Sequence, residues 1–192
     1  MPVREETIRQ LLEEMDDGRG VINEEVMTNT PGRVARMYNN ELLAGYNQDP
    51  AELFARVFES DFTEMVVVTD ISLTSLCEHH LLPITGTAHI GYLPKDGKLL
   101  GLSKLSRVVD CFSHRLQLQE RIVTEIADAF EKHVQPMGVG VIAEAEHGCM
   151  SIRGVKKPKA RTTTSVMRGL FLSDPRVKSE FLRLIRLNHN GH

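Results

Sequence analysis

The chain has 192 residues, of which 26% are charged and 41% hydrophobic, and a formal net charge of −3, enough for one domain with a sizeable core. No apolar run approaches the ~18 residues of a membrane span. The slight acidity argues against coating nucleic acid or an anionic membrane through the overall field, so neither partner is expected and any anion must be bound locally. The first residues, Met1 to Glu6, lack the apolar core of a secretory signal, and the cytoplasm is the expected compartment.

In chain order, Ile8, Leu11, Leu12 and Met15 recur at helical spacing, which predicts an amphipathic helix from Glu5 to Met15 ended by Asp16-Asp17-Gly18. Thr30-Pro31 reads as a cap with proline at the first helical position. The helix it opens runs through Val34, Met37, Tyr38 and Leu42 towards Gly45, with Arg33 and Arg36 on its first turns. Residues 1–60 are therefore expected to form a helical region, and residues 61–192 one structural unit that carries the chemistry. From Met65 the texture turns β-branched and alternating, predicting strands over Val66–Ile71 and Thr85–Leu93 and a turn at Lys95-Asp96-Gly97-Lys98.

Ser103 then reads as the cap of a helix with Leu105, Val108, Val109 and Phe112 on one face and Lys104 and Arg107 on another. Gln119-Glu120 opens a second helix carrying Ile122, Ile126, Ala129 and Phe130. After Pro136, strands are expected at Val139–Ala143, Cys149–Val155 and Thr162–Val166, and a closing helix from Pro175 packs Phe181, Leu184 and Ile185. Helices grouped between runs of strands indicate an α+β fold with an antiparallel sheet.

Three cysteines do not make a disulfide framework. Cys111, among apolar neighbours, reads as a buried inert thiol. Cys77-Glu78-His79-His80 and His147-Gly148-Cys149 instead supply soft ligands, with Cys77, His80 and Cys149 as candidates to hold zinc. Three protein ligands leave the fourth position to water, which zinc acidifies to a pKa near ~7. A closed structural site with His79 or His147 as fourth ligand, or mere packing of these residues, are the competing readings.

Whichever of His79 and His147 is not bound to metal sits beside it, and histidine as a residue type suits proton transfer at neutral pH. His89, His114, His133, His189 and His192 carry no such signal. Arg153, Lys156, Lys157, Lys159 and Arg161 form a basic cluster that could converge with Lys104 and Arg107 on a phosphate chain. Gln119-Glu120 alone is an ordinary helix start, although one carboxylate can accept both the ring N–H and the exocyclic amine of guanine.

Taken together these motifs make the chain resemble the GTP cyclohydrolase I family. The resemblance rests on Thr30-Pro31-Gly32-Arg33-Val34-Ala35, Cys77-Glu78-His79-His80 and His89-Ile90-Gly91-Tyr92-Leu93-Pro94, then Gly101-Leu102-Ser103-Lys104-Leu105-Ser106-Arg107 and Gln117-Leu118-Gln119-Glu120-Arg121. It continues through His147-Gly148-Cys149-Met150, Arg153-Gly154-Val155 and Thr162-Thr163-Thr164-Ser165, in order over residues 30–172. The resemblance implies a tunnelling fold, an antiparallel sheet with two helices packed on one face, preceded by N-terminal helices. Subunits of that fold pair their sheets into β-barrels and assemble as a homodecamer of two stacked pentamers, with active sites between subunits.

It further implies that GTP and water yield formate and 7,8-dihydroneopterin triphosphate. Carried over motif by motif, Cys77, His80 and Cys149 bind Zn2+, and Glu120 with Gln119 holds guanine. Leu102, Ser103, Lys104, Arg107 and Arg153 contact the substrate, mostly at the triphosphate, and Arg33 and Arg36 reach it from another subunit. His79, His147 and Ser103 move protons, with His79 expected as the first acid. Two other readings stand beside this one: a related tunnelling-fold enzyme acting on a purine or pterin, such as a nitrile reductase of queuosine synthesis, and a zinc-stabilised nucleotide-binding module without activity.

Overall fold

The computed structural model describes residues 2–189. The chain begins with helices α1 (Glu5–Asp16) and α2 (Glu24–Met37). The helix expected to start at Thr30-Pro31 in fact starts a full two turns earlier, where the Asn23 side chain caps it by accepting the Val26 N–H at 3.0 Å. Pro31 lies inside α2 and has no N–H for the Met27 carbonyl one turn back. Arg9 of α1 supplies the missing donor, its Nη1 lying 2.8 Å from the Met27 oxygen. A tertiary contact thus lets the helix run through a residue that reads locally as its beginning.

Beyond a wide π-turn at Tyr38–Leu42 and a tight turn at Ala44–Asn47 come the short helix α3 (Pro50–Phe54) and strand β1 (Val57–Glu59). Gly45 fits here because a Cβ would stand 2.4 Å from the Cys111 carbonyl. Its own carbonyl accepts from Arg115 at 3.0 Å, and its N–H donates to His114 at the same distance. Phe54 is buried and meets Phe130 edge-on at 5.3 Å, so α3 belongs to the same core as the second half of the chain.

The main sheet has five strands in the order β5-β2-β3-β6-β7: β2 (Val66–Cys77), β3 (Pro83–Leu93), β5 (Leu116–Gln117), β6 (Gly138–His147) and β7 (Thr162–Gly169). All its pairings are antiparallel except the two-residue strand β5, which runs parallel to β2 at Leu76 and Cys77. A separate two-stranded ribbon joins β1 to β4 (Lys98–Leu100). Helices α4 (Leu102–Ser113) and α5 (Gln119–His133) cover one face, burying Leu105, Val108, Ile122 and Ile126 completely against Ala88, Ile90 and Val141. Each such side chain contributes roughly 1.5–3 kcal/mol when fully removed from water. The expected cap at Ser103 is displaced. Gly101 is the N-cap, and Ser103 is the second residue of α4.

Half of the opposite face is covered too, by α7 (Leu170–Ser173) and α8 (Pro175–His189). Gly91 and Gly140 are partners across β3 and β6, and a Cβ on either would stand 2.7 Å and 2.5 Å from the rings of Phe181 and Phe171 respectively. The two rings, edge to face at 5.2 Å, therefore rest on bare backbone. Phe181 and Ile185 are buried as the periodicity predicts, whereas Leu184 is only half-buried. The strand expected over Cys149–Val155 is absent. After His147 the chain turns directly into the short helix α6 (Gly148–Ser151), with Gly148 packed 3.1–3.3 Å, measured from a Cβ, against Leu82 and Pro83.

Candidate metal centre and active site

Cys77 ends β2, and the chain reverses at once: the Cys77 carbonyl accepts the Leu81 N–H at 2.8 Å, and its N–H donates to the Leu82 carbonyl at 2.8 Å. This tight turn brings the His80 Nδ1 to 3.8 Å from the Cys77 sulfur. His147 pairs with Ile84 at the start of β3, so the end of β6 arrives beside the same turn, and α6 carries Cys149 into it. The donor atoms of Cys77, His80 and Cys149 all lie within 4.8 Å of one another. A tetrahedral site with Zn–S and Zn–N bonds of ~2.3 and ~2.0 Å has an edge of ~3.5 Å, so the Cys77–His80 spacing is close to what a metal needs. Burial, then the neighbouring Cys77 sulfur, push the Cys149 thiol up, and a cation between the two sulfurs would relieve both effects.

The surrounding groups are fixed by in-chain bonds. Arg153 Nη1 lies 2.9 Å from His80 Nε2, on the side of the ring away from the thiols. The half-buried His147 has its Nε2 2.7 Å from Gln119 Oε1. Burial pulls the His147 imidazole below its ordinary range, and the nearby Glu120 carboxylate opposes that pull. Glu120 itself is exposed at the start of α5. His79 is exposed, with its ring centroid 6.2 Å from that of His80 and its Nε2 3.9 Å from Glu78. The Arg121 guanidinium grips Glu78 with bonds of 2.6 and 3.1 Å and holds its carboxyl below the usual range. Glu78 and Arg121 were not singled out in the sequence. Their signal was only that each sits inside a motif chosen for its neighbours.

One end of the sheet thus collects Cys77, His79, His80, Gln119, Glu120, His147, Cys149 and Arg153. It does not collect the other predicted residues. Leu102, Ser103 and Lys104 lie in the first turn of α4 and Arg107 at its middle, and it is the C-terminal end of α4 that leads into β5 beside Cys77. Arg107 instead faces a cavity lined by Asp49, Glu52 and Asp110. Arg33 and Arg36 are on α2, where Arg33 contacts Glu25 at 3.4 Å. Among the described residues no contact joins Lys104 or Arg107 to Arg153, whose guanidinium meets His80 instead. Arg161 also leaves the basic cluster, because Glu144 and Glu146 of β6 take it at 2.7 and 3.4 Å.

The sequence pattern of the family described as GTP cyclohydrolase I matches residues 4–186. The chain belongs to the GTP cyclohydrolase I family. It is 53% identical to GTP cyclohydrolase 1 of Halalkalibacterium halodurans over 162 residues, 84% of this chain and 86% of that one. GTP cyclohydrolase 1 of Listeria monocytogenes is 52% identical over 164 residues, 85% and 86% of the two chains. GTP cyclohydrolase 1 of Pelotomaculum thermopropionicum is 47% identical over 182 residues, 95% of each chain. Among solved structures, the archaeosine synthase QueF-Like in the apo form superposes with a TM-score of 0.47 and 16% identity, covering 57% of this chain and 97% of its own, a likeness too low to bear on function. Membership of this family makes the protein an enzyme of the same type. Among the described residues no helix is long and apolar enough to cross a membrane.

Proposed function

We propose that the protein is a GTP cyclohydrolase I that converts GTP and water to formate and 7,8-dihydroneopterin triphosphate, the first step of tetrahydrofolate and pterin synthesis in the cytoplasm. The observation that carries the chemistry is the gathering of Cys77, His80 and Cys149 with two histidines and Glu120 at one end of the sheet. Two sulfurs and one imidazole nitrogen suit zinc by softness and by spacing, and three ligands fit a catalytic centre better than a closed structural one. Zinc held there would supply an acidified water for attack on the imidazole ring of guanine.

The chain's own groups then divide the work. Glu120 accepts the ring N–H and the exocyclic amine of guanine, a pairing that fixes the base and rejects adenine. His79 and His147 exchange protons with the imidazole nitrogens as the ring opens. Arg153 lies close enough to follow the phosphate chain out of the pocket.

The residues proposed to contact the triphosphate, Ser103, Lys104 and Arg107, with Leu102 beside them, lie in the first half of α4, away from the end that leads to Cys77, and a single GTP would meet them on a neighbouring subunit. Arg33 and Arg36 fit the same role from another neighbour. β7 ends the strand order on one side, and β5 accompanies β2 for only two residues on the other. Such edges favour pairing with further copies, in keeping with a tunnelling-fold barrel and a homodecamer of two pentamers. Residues 1–60 would then serve as the helical region and residues 61–192 as the catalytic unit. Incubating the purified protein with GTP tests the reading: formate and a fluorescent oxidised pterin are expected, and GTP recovered unchanged by zinc-loaded protein would sink it.

A further inference from the structure

Gln119 and Glu120 are consecutive, yet α5 turns them to different duties. Glu120 is exposed, and Gln119 is fully buried. The Gln119 amide nitrogen is surrounded by acceptors: the Ala143 carbonyl of β6 at 3.0 Å, the Thr162 carbonyl of β7 at 2.9 Å and the Thr164 hydroxyl at 3.2 Å. Flipping the amide would place its oxygen against two carbonyl oxygens, that of Ala143 buried and that of Thr162 part-buried, so the orientation is settled by the network. Oε1 must therefore point at His147, where it lies 2.7 Å from Nε2. An amide oxygen only accepts, so it is the imidazole that donates.

We infer that Gln119 is a positioning residue that holds the neutral ring of His147 in its Nε2–H tautomer and leaves Nδ1 as the nitrogen that His147 offers to the substrate. In imidazole, the partner of one nitrogen decides the state of the other. With its Nε2–H committed to Gln119, the neutral ring of His147 presents Nδ1 as a bare hydrogen-bond acceptor. Gln119, with no exposed surface and an amide fully used inside the chain, is not available to guanine, and recognition of the base rests on Glu120. The kinetic consequence rests on the proposed GTP reaction; the tautomer does not.

Two variants and one spectrum test it. Gln119→Met keeps the length of the side chain and removes its acceptor. Thr164→Val keeps both carbonyl partners of the amide and so should keep its orientation. Solid-state nitrogen-15 spectra of histidine-labelled protein, with His147→Asn to identify the signal, should show His147 protonated on Nε2 in the wild type and spread over both tautomers in Gln119→Met. The kcat for GTP should fall roughly 10–100-fold in Gln119→Met, the scale of a misplaced catalytic group, with KM little changed and zinc retained, while Thr164→Val stays near wild type. An Nδ1–H tautomer in the wild type would overturn the inference. So would a raised KM at unchanged kcat, which is the mark of a base contact, or a loss in Thr164→Val as deep as that in Gln119→Met. If the wild type does not turn over GTP, the reaction reading fails while the spectrum still decides the tautomer.

Discussion

At the metal end of the main sheet the polar groups around Cys77, His80 and Cys149 are held by partners from the same chain: Gln119 on His147, Arg153 on His80, Arg121 on Glu78. At the other end, the start of α4 presents Leu102 at 64% exposure, with Ser103 and, halfway along the helix, Arg107 also exposed; elsewhere, α2 carries Arg33, which among the described residues pairs with Glu25 of its own helix. The contrast follows from what each end has to do. Proton transfer and ring opening need groups fixed to a fraction of an ångström, and a single chain can fix them with buried hydrogen bonds. Cations for a phosphate chain would repel one another if packed together in advance, and the proposed assembly, in which a neighbouring copy would supply the other half of the site, would leave them hydrated and apart until then.

The largest expected effects break the two ends separately. Cys149→Ser should lose zinc and turnover together while keeping its circular dichroism, because Cys149 only borders the core beneath α4 and α5 and serine keeps its size. A Lys104→Ala, Arg107→Ala double variant should keep zinc and lose turnover. If the ends meet only between subunits, the two inactive proteins mixed and reassembled should recover activity at about a quarter of the sites, the random share in which an intact metal end faces an intact cationic end. No recovery at all would put both halves in one chain and undo the comparison. Glu120→Ala belongs next, with an expected loss of about 100-fold or more on GTP and a clearly smaller loss on ITP, which lacks the exocyclic amine. Equal losses on the two nucleotides would place Glu120 outside the base pocket.

The ends also differed in how much of them could be read from the sequence. Cysteine and histidine at a two-residue gap are rare by chance and have few uses, so Cys77, His80 and Cys149 stood out before any fold was known. The helices α4 and α5 were legible because their apolar residues keep a strict period. The strand expected at Cys149 failed because a short, largely apolar run such as Cys-Met-Ser-Ile does not by itself tell a strand from a helical turn, while the turn at Gly148 depends on packing against Pro83, a residue far away in sequence. The burial of Gln119 was hidden for a related reason: a glutamine at a helix start is ordinarily solvated, and only the arrival of β6 and β7 over α5 buries it. The placement of Lys104 at the end of α4 away from Cys77 is a matter of helix length and direction, to which local patterns are blind.

Smaller effects sharpen the claim that the two ends are set independently of the packing between them. Gly91→Ala would drive a methyl group into the Phe181 ring and should cost about 1–3 kcal/mol, lowering the melting temperature by several degrees. Gly91 pairs with Gly140, seven positions along β6 from His147, so zinc content and turnover per folded molecule should hold at temperatures well below melting. A parallel loss of zinc would mean that the sheet transmits strain to the metal end.

The smallest effect concerns α2, which carries Arg33 and Arg36 past Pro31. The Met27 carbonyl is satisfied by Arg9, and Arg9→Ala should leave it without that donor, costing about 0.5–1.5 kcal/mol at this partly exposed position. Pro31→Ala restores the N–H that the proline removed, so in that background the same Arg9→Ala change should cost clearly less. The double-mutant cycle isolates this coupling because each single change removes one of two alternative donors to the same oxygen. The consequence for the cationic end follows directly: a frayed α2 would loosen Arg33 and Arg36 and raise the KM for GTP modestly, with zinc content untouched. Additive stabilities across the cycle would show that Arg9 does not stand in for the missing N–H, and that some other feature carries α2 through its proline.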